Sequence, residues 1–330
     1  MGRNGKTGAQ ASLQPYSMAA FSAAGSLLFG TPFLLMGLFV LGVGLGVVPV
    51  ESSGGDAPMA VIAGIGGLFA LVGAAFWVSA GKRFYRQARW NAVRRSRPFE
   101  PWAWDHAWDP AGARHGATFG LFRGLVACIG ATAFAAPFHW WAFHSGEGVV
   151  PVMAVAAFLD LLALLCWGGL VYALGRGLKY GGSFLRYRVF PFFLGERLDA
   201  DLEGLDRLRG FRTLTVTLRC VQDRVTRQGK STQVDAVAVH EETRELSPDE
   251  LPVGRGGGAG VFKLFRFAPR AEGLPVSFQL PSGDLETVLS ASPARRWEVV
   301  VRAETPGIDY EAVFLVPVYR RPDGATPAIP

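Results

Sequence analysis

Charge is missing from four long stretches of the first 180 residues, and no other feature of the sequence constrains the fold as tightly. Thr7 to Val50, Ala57 to Gly81 and Gly124 to Gly146 carry none, and Gly148 to Gly175 is interrupted only by Asp160. A helix needs about 20 apolar residues to cross a hydrocarbon core roughly 30 Å thick. Each stretch is long enough, and four in succession exceed what the core of a soluble domain requires. The sequence predicts four transmembrane helices, the first densest in apolar residues from Leu27 to Val48.

Orientation follows from the basic residues, which collect on the cytoplasmic side of membrane proteins. Arg3 and Lys6 precede the first helix, nine Lys and Arg lie between Lys82 and Arg123, and Arg176, Lys179, Arg186 and Arg188 follow the fourth. The connections near Glu51 to Asp56 and Ser145 to Gly148 have none. This predicts a multi-pass protein of the inner (cytoplasmic) membrane with both termini in the cytoplasm. The first apolar run is longer than the 7–15 residues of a cleaved signal peptide, and reads as an uncleaved signal anchor.

The net charge of +6 belongs entirely to the first 180 residues, which hold 13 Lys and Arg against 7 Asp and Glu. Its centre is the cluster Lys82, Arg83, Arg86, Arg89, Arg94, Arg95 and Arg97, interleaved with Phe84, Tyr85 and Trp90. In a soluble protein such a patch would suggest nucleic acid. Directly after a membrane span it reads as a lipid-facing segment held by anionic lipid, at about 1 kcal/mol per basic residue near the surface.

Helix association in lipid relies on small residues and close backbone approach. Ala127, Ala131 and Ala135 beside Gly120 and Gly124 form one ridge, and Ala63 with Gly67, or Gly66 with Ala70 and Ala74, another. Asp160 demands a protein neighbour, because an acid at a helix centre costs about 2.5–3.5 kcal/mol on insertion scales. A hairpin folded about Gly146 sets Asp160 opposite Thr132, one turn from Cys128. The expectation is a hydrogen bond from the Thr132 hydroxyl; a proton or ion site is the sharper alternative.

Between the second and third helices the chain runs Pro101, Trp102, Ala103, Trp104, Asp105, His106, Ala107, Trp108, Asp109, and then reaches Arg114 and His115. The residue types can ligate metal, but no zinc-type spacing is present and no metal or cofactor is expected. Trp102, Trp104 and Trp108 suit headgroup level, as membrane tryptophans prefer. Together with Asp105 and Asp109 they form a juxtamembrane interface that would lock the loop against the bilayer or the C-terminal domain. Trp140 and Trp141, between His139 and His144, suggest the opposite aromatic belt. Cys128, Cys166 and Cys220 are isolated in apolar surroundings, which excludes a disulfide framework.

After Tyr180 the hydrophobic period becomes two. Leu214 to Cys220, Trp297 to Ala303 and Tyr310 to Val318 alternate clearly; Phe184 to Phe193, Thr232 to His240, Val261 to Phe267 and Val276 to Leu280 do so more weakly. Residues 196–208 fit helix or strand. Short strands divided by Gly and Pro indicate an all-β sandwich, immunoglobulin-like or arrestin-like, with Gly254 to Gly260 as a hairpin tip. The domains expected are therefore 1–180, membrane helices with a cytoplasmic loop at 82–116, and 181–330, a cytosolic β-sandwich.

Several segments together resemble a family of bacterial multi-pass membrane proteins of unknown function. They are Pro101-Trp102 with Asp105 to Asp109, Leu218-Arg219-Cys220, Leu274 to Pro281, and Trp297-Glu298-Val299 leading to Pro306 to Tyr310 and Phe314 to Val318. The resemblance covers the chain from about residue 75 onward and implies a membrane half joined to a β-rich half. It supplies no catalytic residues.

The function expected is non-enzymatic: four helices anchor a cytosolic sandwich that binds a protein partner or assembles a complex, a homo-oligomer included, and no nucleic acid. The alternative is a membrane enzyme or small transporter using Asp160 and the Trp/Asp/His loop.

Overall fold

A computed structural model of the chain describes residues 13, 16, 23–50, 59–115, 118–144, 150–205, 207–208, 211–228, 231–247, 273–291 and 293–322. The expected strand Val261 to Phe267 and hairpin tip Gly254 to Gly260 lie outside the described residues. Four helices are long and apolar enough to cross a membrane: α1 (Ala23–Gly44), α2 (Met59–Ser96), α3 (Thr118–His144) and α4 (Val150–Tyr180). Their surfaces are lined with exposed Leu, Phe and Val, as lipid-facing helices require.

Two compact units emerge. One comprises Phe21–Arg89 and Ala117–Gly175; the other comprises Met1–Ala20, Trp90–Gly116 and Arg176–Pro330. Residues 90–116, reckoned above with the membrane half, and the last turn of α4 thus pack with the β strands.

Inside the helical unit α1 and α2 meet backbone to backbone. A Cβ placed on Gly37 would overlap the main chain of Ala70, on Gly44 that of Ala63, on Gly66 that of Leu41, and on Gly73 that of Leu34. Gly30, Gly37 and Gly44 recur every seven residues, as do Gly66 and Gly73, so they return to one face of each helix. Ring contacts continue the packing: Phe33 stacks on Phe69 at 5.8 Å, and Phe69 meets Phe134 of α3 at 5.9 Å.

The β unit is a sandwich of two four-stranded sheets. The first orders β1 (Gly112–His115), β2 (Ser183–Tyr187), β4 (Arg197–Glu203) and β7 (Leu274–Gln279). The second orders β6 (Ser231–Leu246), β5 (Leu214–Gln228), β8 (Arg295–Ala303) and β9 (Tyr310–Val316). Every pairing in both sheets is antiparallel. A short parallel pair joins β3 (Phe192–Phe193) to β10 (Val318–Tyr319). Leu185, Leu198, Leu202 and Phe278 from one sheet interleave with Leu214, Leu218, Trp297 and Phe314 from the other, all essentially inaccessible. The ambiguity at residues 196–208 resolves as strand over 197–203, since Leu198, Ala200 and Leu202 bury every second side chain.

Strand β1 comes from the loop between α2 and α3. It pairs Gly112 with Arg186 and His115 with Ser183, completing an edge of the first sheet. Gly112 is required there: its φ is +146°, and a Cβ would strike the Leu185 carbonyl oxygen.

Candidate functional site

The residues singled out in the Trp-rich loop converge on the sandwich. After α2 the chain makes a 3-10 turn at Pro101–Ala103. This sets the Trp102 ring against Phe193 and Tyr319, with centroids 5.7 and 5.9 Å apart. Asp105 is 4% exposed, and its carboxylate accepts the backbone N–H groups of Leu289 (2.9 and 3.0 Å) and Ser290 (2.7 Å). The Tyr319 hydroxyl also reaches it at 3.4 Å and accepts the Trp108 indole N–H at 2.8 Å. Burial, and then the charge of Asp105, hold the Tyr319 hydroxyl far above its ordinary pKa. A buried charge is tolerable when every lone pair is met, and here main-chain amides meet it. Asp109 accepts the Ala111 N–H at 3.0 Å and shapes the turn into β1. Trp104 donates to the Arg97 carbonyl at 3.2 Å, with the Arg94 guanidinium 4.7 Å over its ring. His106 lies 3.3 Å from the Tyr16 hydroxyl.

The last turn of α4 is gripped in a second way. Lys179 Nζ donates to Thr305 Oγ1 (3.0 Å) and to the carbonyls of Pro306 and Ile308 (both 2.8 Å). The Tyr180 hydroxyl bonds Thr305 and Ile308, and Arg176 donates to the Glu311 carbonyl. Ser183 and Tyr310 share a hydroxyl pair at 2.6 Å, and burial pushes the Tyr310 hydroxyl up to about 12. Between β1 and β9, His115 Nδ1 accepts the Val313 N–H at 3.4 Å. Burial and then the nearby Arg176 charge depress its pKa below 6.5.

A third cluster gave no sign in the sequence. On β5 and β8, Arg219 donates to Glu298 (2.8 and 3.0 Å), Arg296 also pairs with Glu298, and Arg296 reaches Asp223 at 3.3 Å. All four are buried, and their charges cancel. Asp223 also accepts the Tyr16 backbone N–H at 3.2 Å. Only the cross-strand register, Arg219 opposite Glu298, assembles these residues.

The basic cluster from Lys82 to Arg95 lies on the continuous helix α2, 38 residues or about 57 Å long, and Arg97 directly follows it. Lys82, Arg83 and Arg86 stand within the first turns beyond the apolar segment, whereas Arg94 stands about 18 Å further along the axis from Lys82. Arg97 pairs with Glu100 at 3.5 Å.

The expected contact of Asp160 with Thr132 is corrected. His139 Nε2 lies 2.8 Å from Asp160 Oδ1, while the Thr132 hydroxyl donates to the Cys128 carbonyl (2.9 Å) and accepts the Trp167 indole N–H (3.1 Å). Both interhelical pairs are centred on the Val149–Val150 bond instead of Gly146, because α3 persists to His144 and α4 begins at Val150. Asp160 therefore sits ten residues into α4, about 15 Å from its start. It is also not enclosed: the Asp160 side chain is 54% exposed and that of His139 37%.

Among the described residues no group of three His, Cys, Asp or Glu is placed to hold a metal ion. Cys128 and Cys220 are buried and Cys166 exposed, all unbridged. No family model matches the chain, and no curated protein does. Among solved structures it is similar to the sporulation control protein Spo0M from Bacillus subtilis, at 14% identity and a TM-score of 0.25, covering 42% of this chain and 49% of that one. The chain thus spans about half the length of that protein, and a likeness this slight carries neither fold nor function over to it.

Proposed function

We propose that the chain is a non-enzymatic protein of the inner (cytoplasmic) membrane, with both termini in the cytoplasm. It presents its β-sandwich at the membrane surface for binding another protein or assembling a complex. One observation carries the reading: the three segments that the basic residues assign to one side, 1–20, 90–116 and 176–330, fall in a single compact unit. Within that unit the buried Asp105, the paired strand β1 and the gripped Lys179 hold its separate segments together. Lys82, Arg83 and Arg86 would add anionic lipid contact at the surface.

The β5–β6 hairpin suits partner binding. Pairing of β5 with β8 stops at Gln222, while its pairing with β6 runs on to Gln228, so the hairpin overhangs the sheet. Strand β6 pairs with β5 alone among the described residues, and Val225 and Val239 on this hairpin are exposed. Such an edge accepts an added strand.

Full-length protein purified in detergent is expected to bring down a partner. Replacing residues 225–234 by a two-residue turn is expected to release it; retention would move binding off the hairpin. Asp105→Ala is expected to cost about 3 kcal/mol, seen as faster hydrogen exchange at the Leu289 and Ser290 amides. Protection of a C-terminal tag from protease in inverted vesicles would reverse the orientation. The alternative, a membrane enzyme or small transporter using Asp160 and the Trp/Asp/His loop, draws on the exposed His139–Asp160 pair, and an Asp160→Asn variant with unaltered proton or solute flux in proteoliposomes would remove it.

A further inference from the structure

We infer that the α3–α4 seam is where a second copy of this chain packs within the bilayer, through the His139–Asp160 pair. It rests on the reading that α3 and α4 cross a membrane. The intramolecular contact at 2.8 Å engages one oxygen of Asp160 and one nitrogen of His139. With Nε2–H donated to Asp160, an imidazolium ring keeps its Nδ1–H to donate and the carboxylate keeps a second oxygen to accept. Both side chains are substantially exposed on a helical surface otherwise lined by Leu, Val and Phe. Intramembrane ionisable groups face protein or water and pair with one another.

The patch offers one donor and one acceptor side by side, so it is complementary in charge to itself. A two-fold axis brings each group opposite its counterpart's partner, the arrangement an isologous contact produces. A different protein would have to present a matched pair at the same depth. The packing surface agrees. Leu164, Gly168 and Val171 follow Asp160 at spacings of four, four and three, on the same side of α4. Leu164 and Val171 are 68% and 64% exposed, and a Cβ on Gly168 would meet nothing. Close approach of a second helix at a glycine is how lipid-embedded helices associate.

Subunit counting by single-molecule photobleaching, on purified full-length chain in liposomes, tests the contact with a built-in control. Gly168 and Gly130 both have open space around a would-be Cβ, so neither substitution disturbs the monomer. Gly130 lies nine residues from His139, on the opposite side of α3. Gly168→Leu is expected to weaken pairing roughly tenfold, as is the double variant His139→Leu with Asp160→Leu, while Gly130→Leu pairs as the parent does. Single bleaching steps for the parent, or equal effects of the two glycine substitutions, would overturn the contact. Recovery of the chain from the aqueous fraction without detergent would instead overturn the membrane reading beneath it.

Discussion

The two helical hairpins of this protein are joined by different physics. Helices α1 and α2 touch chiefly through their main chains, with Gly30, Gly37, Gly44, Gly66 and Gly73 clearing the way and a single side-chain bond, Trp77 Nε1–H to Thr31 Oγ1 at 3.2 Å, beside them. Helices α3 and α4 are bridged by side chains, His139 to Asp160 and Trp167 to Thr132, while Gly130, Gly168 and Gly169 face open space. Backbone contact gains dispersion over a whole seam and tolerates no added atom. A hydrogen bond between side chains tolerates volume but depends on chemistry, and each interhelical bond contributes only about 0.6 kcal/mol on average. The first hairpin should therefore be sensitive to size, and the second to polarity.

Gly37→Leu should break the comparison most visibly. It forces the Ala70 backbone aside, and a loss of about 3 kcal/mol is expected in a denaturant titration of the micellar protein. Gly130→Leu in the same assay should stay within about 0.5 kcal/mol; similar losses for both would erase the distinction. Asp160→Leu should cost about 1 kcal/mol, since it strips His139 of its partner while removing a polar group from lipid. Trp167→Phe, which keeps the ring and deletes the indole donor, should cost about 0.6 kcal/mol.

The smallest effect belongs to a third joint, His115 between β1 and β9. Its folded pKa lies below the unfolded 6.5, so the unfolded chain takes up the proton first as pH falls. Stability should decline from about pH 6.5 down through the lowered folded value and then level off. Thermal melts of the full chain in nanodiscs should show that decline, and His115→Gln should remove it. A parent melt unchanged across this window would mean that His115 does not sense the seam.

The helices were legible because lipid imposes length and charge rules that any sequence must obey. The strands were legible where one face is buried, as the alternation of Leu214, Val216 and Leu218 shows. What escaped was long-range. The glycine repeat of α1 is present in the sequence, but a search at four-residue spacing passes over a period of seven. Of the alanine ridge on α3, Ala135 alone is buried. The pairing of Asp160 depended on where α3 stops, and helix ends are set by loops whose geometry no composition reveals. The sequence places Asp105 in a juxtamembrane interface without naming its partners; its donors are amides 184 and 185 positions away. Strand β1 has no alternation to read, for its four residues gain strand structure only from β2.

That last strand sets an order on biogenesis. Gly112–His115 is synthesised before α3 and α4, yet its partner Ser183–Tyr187 follows both. The first sheet therefore stays incomplete until the second helical hairpin has entered the membrane and returned the chain to the compartment it left. A nascent chain that inserts α3 or α4 the wrong way round would leave an open sheet edge and an unburied Asp105. Closure of the sandwich thereby reports that the membrane has been threaded correctly.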